Sequence, residues 1–432
     1  MDQLMPSLDL LLAPLTVVFR KEVFALFRHM VAAWIVCLGR RTIRRVWQTT
    51  GQAQQRNHAA AYRLFSQAVW NFDEVARILL VRRLAVFVPG SRVWVVVDDT
   101  LCHKRGAKVA FGGIFLDAVL STKKHKCFRF GTNWVLLGLV VQLRDRPDRF
   151  FCLPLLWRVY QKQGSKSKAQ HRTKPQQAAE MVRLLARWLP GHQRLVVADR
   201  AYIGKGLLHD RPTNVEAIGP LCWKAALWQV SSGQRLPTPA ELLADDRRWP
   251  AATRWLTFPN GHRRRLQLKQ IDAVCWPSVA GPRPVRVLLV RDPKGQWRNE
   301  ALVCTDATLP DWLIVTGYCR HWSVEVAFCD AKQQLGFHDP QVWSAPAVER
   351  ATPMAWLVGT LVVLWYAESA KEGRQARRQQ PWYRHKRSLT FADMLASCRL
   401  QWWQHWLSQG GAVHVGLEGQ CGWLLEYIAT AA

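Results

Sequence analysis

Apolar positions along this chain change their period near residue 90. Before that point they recur as on a helix. Val23, Leu26, Phe27, Met30, Val31, Trp34 and Ile35 share one face, and Phe65, Val69, Trp70 and Val75 mark a second helical pattern across residues 59–80. From residue 92 the pattern becomes short, continuous, β-branched runs, which read as strands buried on both faces. Strands are expected at 93–98, 134–142, 150–157, 195–199 and 214–219, with a helix at 176–188, giving the order β-β-β-α-β. Residues 220–300 are punctuated by Pro and Gly. Alternating or apolar runs at 254–258, 266–274 and 285–290, with turn signals at Pro259-Asn260-Gly261 and Asp292-Pro293-Lys294-Gly295, suggest a mostly β insertion. A strand at 301–305, a helical region from Asp311, a long buried helix at 347–367 and a last helix near 391–406 complete the reading. The expected class is α/β. Its organisation is a helical segment 1–88, a core in two parts (89–219 and 301–370), the β-rich insertion 220–300 and a basic helical region 371–432.

Chemistry enters where the apolar runs stop. The first run ends in Asp98-Asp99-Thr100 and another ends in Asp199-Arg200-Ala201-Tyr202. Acids at the carboxyl edge of parallel strands lie where open α/β sheets place their sites. Asp98 is the expected first acid, with Asp99 as the alternative. A third acid lies on a helix: Tyr318, His321, Glu325, Phe328 and Lys332 are spaced 3, 4, 3 and 4 apart and fall on one stripe. A core stripe would not carry Glu and Lys. A plain solvent face would not hold them at a constant angle.

Charge changes the picture further. With 60 Lys+Arg against 31 Asp+Glu, the formal charge is +29, which favours a polyanionic partner, nucleic acid before a membrane surface. Arg40, Arg41, Arg44 and Arg45 form a basic cluster in the helical segment, suited to a helix laid in the DNA major groove. Residues 158–174 hold six Lys/Arg and no acid, and residues 371–387 hold seven against one acid; both are candidate strand contacts, as is Lys104. Eleven Cys without a Cys-x-x-Cys pair argue against a disulfide framework or a structural zinc, and so for a reducing compartment. The N-terminus shows no export pattern. Residues 354–367 are apolar but too few to span a bilayer. A cytoplasmic, nucleoid-associated protein with no membrane partner is expected.

Taken together, these motifs resemble the DDE transposases of bacterial insertion sequences, and among them the group with a Y-x2-R-x3-E-x6-K signature and a β-rich insertion before the Glu. Tyr318, Glu325 and Lys332 match that spacing; His321 stands at the Arg position, with Arg320 one residue earlier. Val97-Asp98-Asp99-Thr100 resembles the first acid motif and Val196-Val197-Ala198-Asp199 the second. The resemblance spans residues 90–370. It implies a ribonuclease H-like mixed sheet flanked by helices, with Asp98, Asp199 and Glu325 as catalytic ligands of two Mg²⁺ (or Mn²⁺) ions. It also implies DNA contacts from Tyr318, Arg320, His321 and Lys332. Trp297, in a turn of the insertion, is a candidate to receive a flipped base, set against the commoner packing role of a turn Trp. The implied partners are double-stranded DNA, as terminal inverted repeats and target, and a second copy of the chain in a synaptic homodimer. Two other functions share the core: a transposase-derived DNA-binding protein that no longer cuts, and a ribonuclease acting on RNA–DNA hybrids. Intact acids argue against the first, and the insertion and basic flanks against the second.

Overall fold

The computed structural model of the chain describes residues 4–50, 53, 57–87, 90, 92–143, 146–164, 171–245, 249–250, 252–258, 261–369 and 389–408. Most of the basic loop 158–174 is described, but residues 165–170, the Pro259-Asn260 turn and the basic run 371–387 lie outside these residues.

Helices α1 (Pro6–Leu12), α2 (Lys21–Val36), α3 (Ile43–Thr49), α4 (Ala59–Ser66) and α5 (Phe72–Phe87) come first. The pattern expected as one helix over 59–80 divides in two. The Trp70 indole turns inward and donates to Leu64 O at 2.9 Å, and the Asn71 side chain accepts from the Asp73 N–H at 2.8 Å, starting a new helix. These helices are not set apart from the sheet. They belong to one apolar core that runs on to the last helix, and the buried Trp34 donates to Leu335 O at 2.9 Å.

The sheet contains β1 (Arg92–His103), β2 (Gly113–Leu116), β3 (Phe128–Leu143), β4 (Arg146–Tyr160), β5 (Gln193–Ala198) and β6 (Val215–Pro220), with α6 (Lys174–Trp188) and α7 (Lys205–Leu208) between β4 and β6. Next come β7 (Trp228–Gln229), α8 (Pro239–Ala244), β8 (Arg254–Thr257), β9 (Arg263–Cys275), α9 (Pro277–Ala280), β10 (Val285–Arg291) and β11 (Glu300–Cys304). The strand order is β2-β3-β1-β5-β6-β11-β10-β9-β7, with β4 on β3 and β8 on β9. β1, β5 and β6 are parallel; the other pairings are antiparallel. The strands of the 220–300 region therefore extend the same sheet through β11.

Helices α10 (Asp311–Tyr318), α11 (Trp322–Gln334), α12 (Ala345–Ala351), α13 (Met354–Ser369) and α14 (Phe391–Ser408) complete the chain. The stripe from Tyr318 to Lys332 is thus not one helix, because a 3-10 turn over Cys319–His321 joins α10 to α11. The long apolar helix is likewise split, at Thr352-Pro353, where proline lacks the N–H that a continuing helix needs. The stretch Ala345–Ser369 is long and apolar enough to cross a membrane by length and composition, but 83% of its most apolar window is buried inside the protein. Trp356 anchors it, 1% exposed, with the rings of Phe337, Trp157, Phe328 and Trp134 at 4.5, 5.8, 6.0 and 6.1 Å. That cluster seats α11 against β3 and β4.

Candidate metal centre

Register places the first two acids. β1 and β5 run parallel with Val97 opposite Ala198, so Asp98 and Asp199 occupy the next positions on neighbouring chains, where the parallel pairing ends. β1 itself does not end there, contrary to the sequence expectation. Antiparallel β3 continues to bond it, with Asp98 opposite Leu136, Asp99 opposite Val135 and so on to His103 opposite Gly131. A strand needs only one partner to continue, and Thr100-Leu101-Cys102 suits the pleat.

Alternation then separates the two adjacent acids. Asp99 is engaged by α6: Lys174 Nζ lies 2.5 Å from its Oδ2, and the buried Tyr202 hydroxyl donates to its Oδ1 at 2.8 Å. Asp98 lies on the α11 side. Its carboxylate, the His321 ring and the Glu325 carboxylate offer ligand atoms within 4.8 Å of one another. Asp99 thus acts as a brace, holding the ends of β1, α6 and the Asp199 turn together. Lys174 and Tyr202 carried no expected role. The available signals were a Lys opening a helix behind a Thr cap and a Tyr three residues past an acid.

Asp199 begins a tight turn, its Oδ1 accepting from the N–H groups of Ala201 (3.0 Å) and Tyr202 (3.3 Å). Its charge is felt by Glu325: burial, and then Asp199, push the Glu325 carboxyl above its ordinary range. Asp98 is pushed furthest. Burial is the main cause, with the charges of Asp199, Asp99 and Glu325 adding, and together they raise it to about 8. The Asp99 N–H, donating to Asp98 Oδ1 at 2.7 Å, only partly offsets this. Asp98 and Glu325 thus converge with His321, and Asp199 is near enough to raise both carboxyls.

His321 faces the same place, 8% exposed. Its Nε2 lies 3.1 Å from Val97 O, which can only accept, so Nε2 carries the proton and Nδ1 keeps a lone pair. Burial lowers its pKa, against the opposing pull of the Val97 carbonyl and Asp199, which favours the neutral ring. Two carboxylates and an imidazole lone pair, with a third acid beside them, fit a divalent cation that accepts oxygen and nitrogen donors.

The remaining expected site residues scatter. Tyr318 stacks near His321 with ring centroids 6.5 Å apart, and burial raises its hydroxyl pKa. Arg320 does not reach out: its guanidinium sits 3.8 Å from the centroid of Trp94 and 4.4 Å from that of Phe150, and burial lowers it to about 10. Gly317 makes this packing possible, since a Cβ there would meet the Trp94 ring at 2.5 Å. Lys332 is half-buried beyond Glu325; burial lowers its pKa and nearby Asp117 opposes the shift. Lys104 donates to Pro340 O at 2.9 Å and His338 O at 3.3 Å, tying β1 to the loop after α11.

Arg41 is 2% exposed and bonds Trp34 O at 3.1 Å, so it is a core strut and not a DNA contact; Arg40, Arg44 and Arg45 remain exposed. Its interior position follows from the docking of the α2–α3 turn, where the Arg41 N–H reaches Asp339 Oδ2 at 2.7 Å. Trp297 is partly buried and stands at right angles to Phe258 at 5.3 Å, a packing role in a second apolar cluster.

The raised Asp98 value has a direct consequence. Between the ordinary value near 3.8 and about 8, the folded protein keeps a proton that the unfolded chain releases, so stability falls as pH rises through that window. The slope is about 1.4 kcal/mol per pH unit for one such group. Urea unfolding in chelator at pH 5 and 7 is expected to show this decline in the parent protein and a smaller one in Asp98→Asn. Equal slopes would remove Asp98 as its source.

Residues 10–271 match the family model described as DDE superfamily endonuclease. The match includes Asp98 and Asp199 and ends before Glu325. No curated protein matches the chain.

Proposed function

Since the chain belongs to the DDE superfamily of endonucleases, by a match over more than half its length, we propose that it is the DNA transposase of an insertion sequence. Membership indicates a metal-dependent nuclease. The finer reading is that it binds terminal inverted repeats, nicks phosphodiester bonds at the element ends with water, and transfers the freed 3′-OH to target DNA. The observation that carries it is the convergence of Asp98 and Glu325 with His321, beside Asp199, at the end of the parallel strands.

In this reading Asp98, Asp199 and Glu325 would hold two Mg²⁺ or Mn²⁺ ions. When bound, such a pair activates an attacking oxygen and stabilises a leaving oxygen at phosphorus. The chain's own residues do the rest. Asp99, clamped by Lys174 and Tyr202, fixes the height of Asp98 on β1. The Val97 carbonyl fixes the His321 ring and its tautomer. Tyr318, beside Asp199, and Lys332, two turns past Glu325 on α11, border the path of the strand. Exposed arginines at 40, 44 and 45 add sequence-independent affinity for duplex. The reading includes a homodimer that joins two ends, and a bacterial cytoplasmic location on the nucleoid.

Metal-dependent nicking of a duplex carrying the inverted repeats that flank the coding region tests it. Cleavage there, with little on RNA–DNA hybrid, supports a transposase; the reverse preference supports a ribonuclease. Tight duplex binding without cleavage under Mg²⁺ or Mn²⁺ would leave a DNA-binding protein only. The brace is tested by Asp99→Asn, expected to slow nicking about 10–100-fold, as loss of an orienting partner does, and to leave it metal-dependent. Complete loss equal to that of Asp98→Asn would move the ligand role to Asp99.

A further inference from the structure

We propose that the β2–β3 hairpin is a duplex-DNA clamp, with lysines on the phosphates and an apolar tip wedged in the minor groove away from the cutting site. The assignment rests on the proposed DNA substrate and adds a contact surface to it. β2 forms the edge of the sheet and pairs only with the start of β3, with Gly113 opposite Gly131 and Leu116 opposite Phe128. Ile114, Leu116 and Phe128 are 60%, 45% and 60% exposed, and Val119 and Leu120 at the turn are 80% and 48% exposed. Five large apolar side chains in solvent on one short hairpin form a patch that needs a partner.

The turn is held rigidly. Asp117 is buried, and its Oδ1 accepts from the N–H groups of Val119 (3.0 Å) and Leu120 (3.1 Å). Its Oδ2 takes a bond from His103 Nε2 at 2.6 Å, and the His103 ring stacks on His338, 4.9 Å away and 5° from parallel. The apolar tip is therefore presented by a braced turn.

Charge selects the occupant. Residues 104–131 contain seven Lys/Arg and one acid, and that acid is the buried Asp117. Lys123, Lys124, Lys126 and Arg129 are all exposed around the patch. A second copy of the hairpin would bring like charges together, and a four-residue edge strand beside lysines is poorly suited to strand pairing. A polyanion that also offers apolar surface fits both features. Duplex DNA offers it on the sugars and the base steps of the minor groove, where apolar side chains act as wedges.

Position gives the reach. Phe128 lies eight residues along β3 from Leu136, the partner of Asp98. At ~3.3 Å per residue that is about 26 Å, or roughly 8 base pairs at 3.4 Å each.

The test is equilibrium binding of the full chain to an end-sequence duplex in EDTA, so that cleavage plays no part, across a salt series. Two variants are compared with the parent: Lys123→Gln/Lys124→Gln/Lys126→Gln and Val119→Ser/Leu120→Ser, each checked for an unchanged melting midpoint. The lysine variant is expected to lower the slope of log K against log[salt] by about 2–3, near 0.9 per contact. The tip variant is expected to weaken binding about tenfold with the slope kept, and to reduce 2-aminopurine fluorescence at a step about 5–10 base pairs from the cut. Parent-like affinity and slope in both variants overturns the clamp and leaves the transposase reading intact. Loss of a dimer by the tip variant, with DNA binding unchanged, assigns the patch to self-association and also overturns it. No duplex binding by the parent overturns both readings.

Discussion

Glu325→Gln protein is expected to fold, to bind end DNA as tightly as the parent, and to lose nicking by about 10³-fold or more, the scale on which members of a catalytic set fail together. The substitution keeps the shape of the side chain and removes its charge. Its carboxylate, that of Asp98 and the ring of His321 offer ligand atoms within 4.8 Å of one another. Asp199→Asn and Asp98→Asn are expected to fall to the same floor, and double variants to fall no further, because a cation pair that has lost one ligand gains little from the others. Single-turnover nicking on an end duplex, with Mn²⁺ titrated, measures this. A Glu325→Gln enzyme within tenfold of the parent at saturating Mn²⁺ would separate α11 from the chemistry. Glu325 also lies past the family match, which makes it the sharper test of the fold-based assignment.

Trp356→Ala is expected to cost about 3–5 kcal/mol of folding stability, the range for deleting a buried tryptophan. Trp356 is where β3, β4, α11 and the turn after α11 meet, through Trp134, Trp157, Phe328 and Phe337. Its loss opens a cavity under the helix that carries Glu325, so nicking should fall along with stability. Trp322→Ala is the control. It lies on the same helix but is 65% exposed, and its effect on stability should stay within about 0.5 kcal/mol. Chemical unfolding of the three proteins decides it. Equal destabilisation by both substitutions would mean that the cluster does not carry the weight given to it.

The resemblance named a ribonuclease H-like core, and the mixed sheet flanked by helices agrees with it. Strands near 134–142, 150–157, 195–199 and 285–290 and the helix near 176–188 were readable because burial on one or both faces leaves a periodic trace in the chain. The candidate acids stood out for a related reason: Asp98 and Asp199 end apolar runs, and Glu325 sits at constant spacing on a polar stripe, both of which are visible in one dimension. What each neighbour does was not. Asp98 and Asp99 are alike on paper. They part only because β1 continues past them on β3, so that alternation sends one to α11 and the other to Lys174 and Tyr202. Arg41 reads as one more cation in a basic cluster, yet the turn that bears it docks on Asp339, nearly 300 residues away, and becomes interior.

Periodicity and interruptions are local properties, carried by a few adjacent residues, so the chain alone pointed to the class of the fold and to the three acids as candidates. Which side chains share a pocket, which are struts and which remain in solvent depends on contacts between distant segments. Those depend on register and on the seating of α11 over Trp356, and only the folded structure settled them.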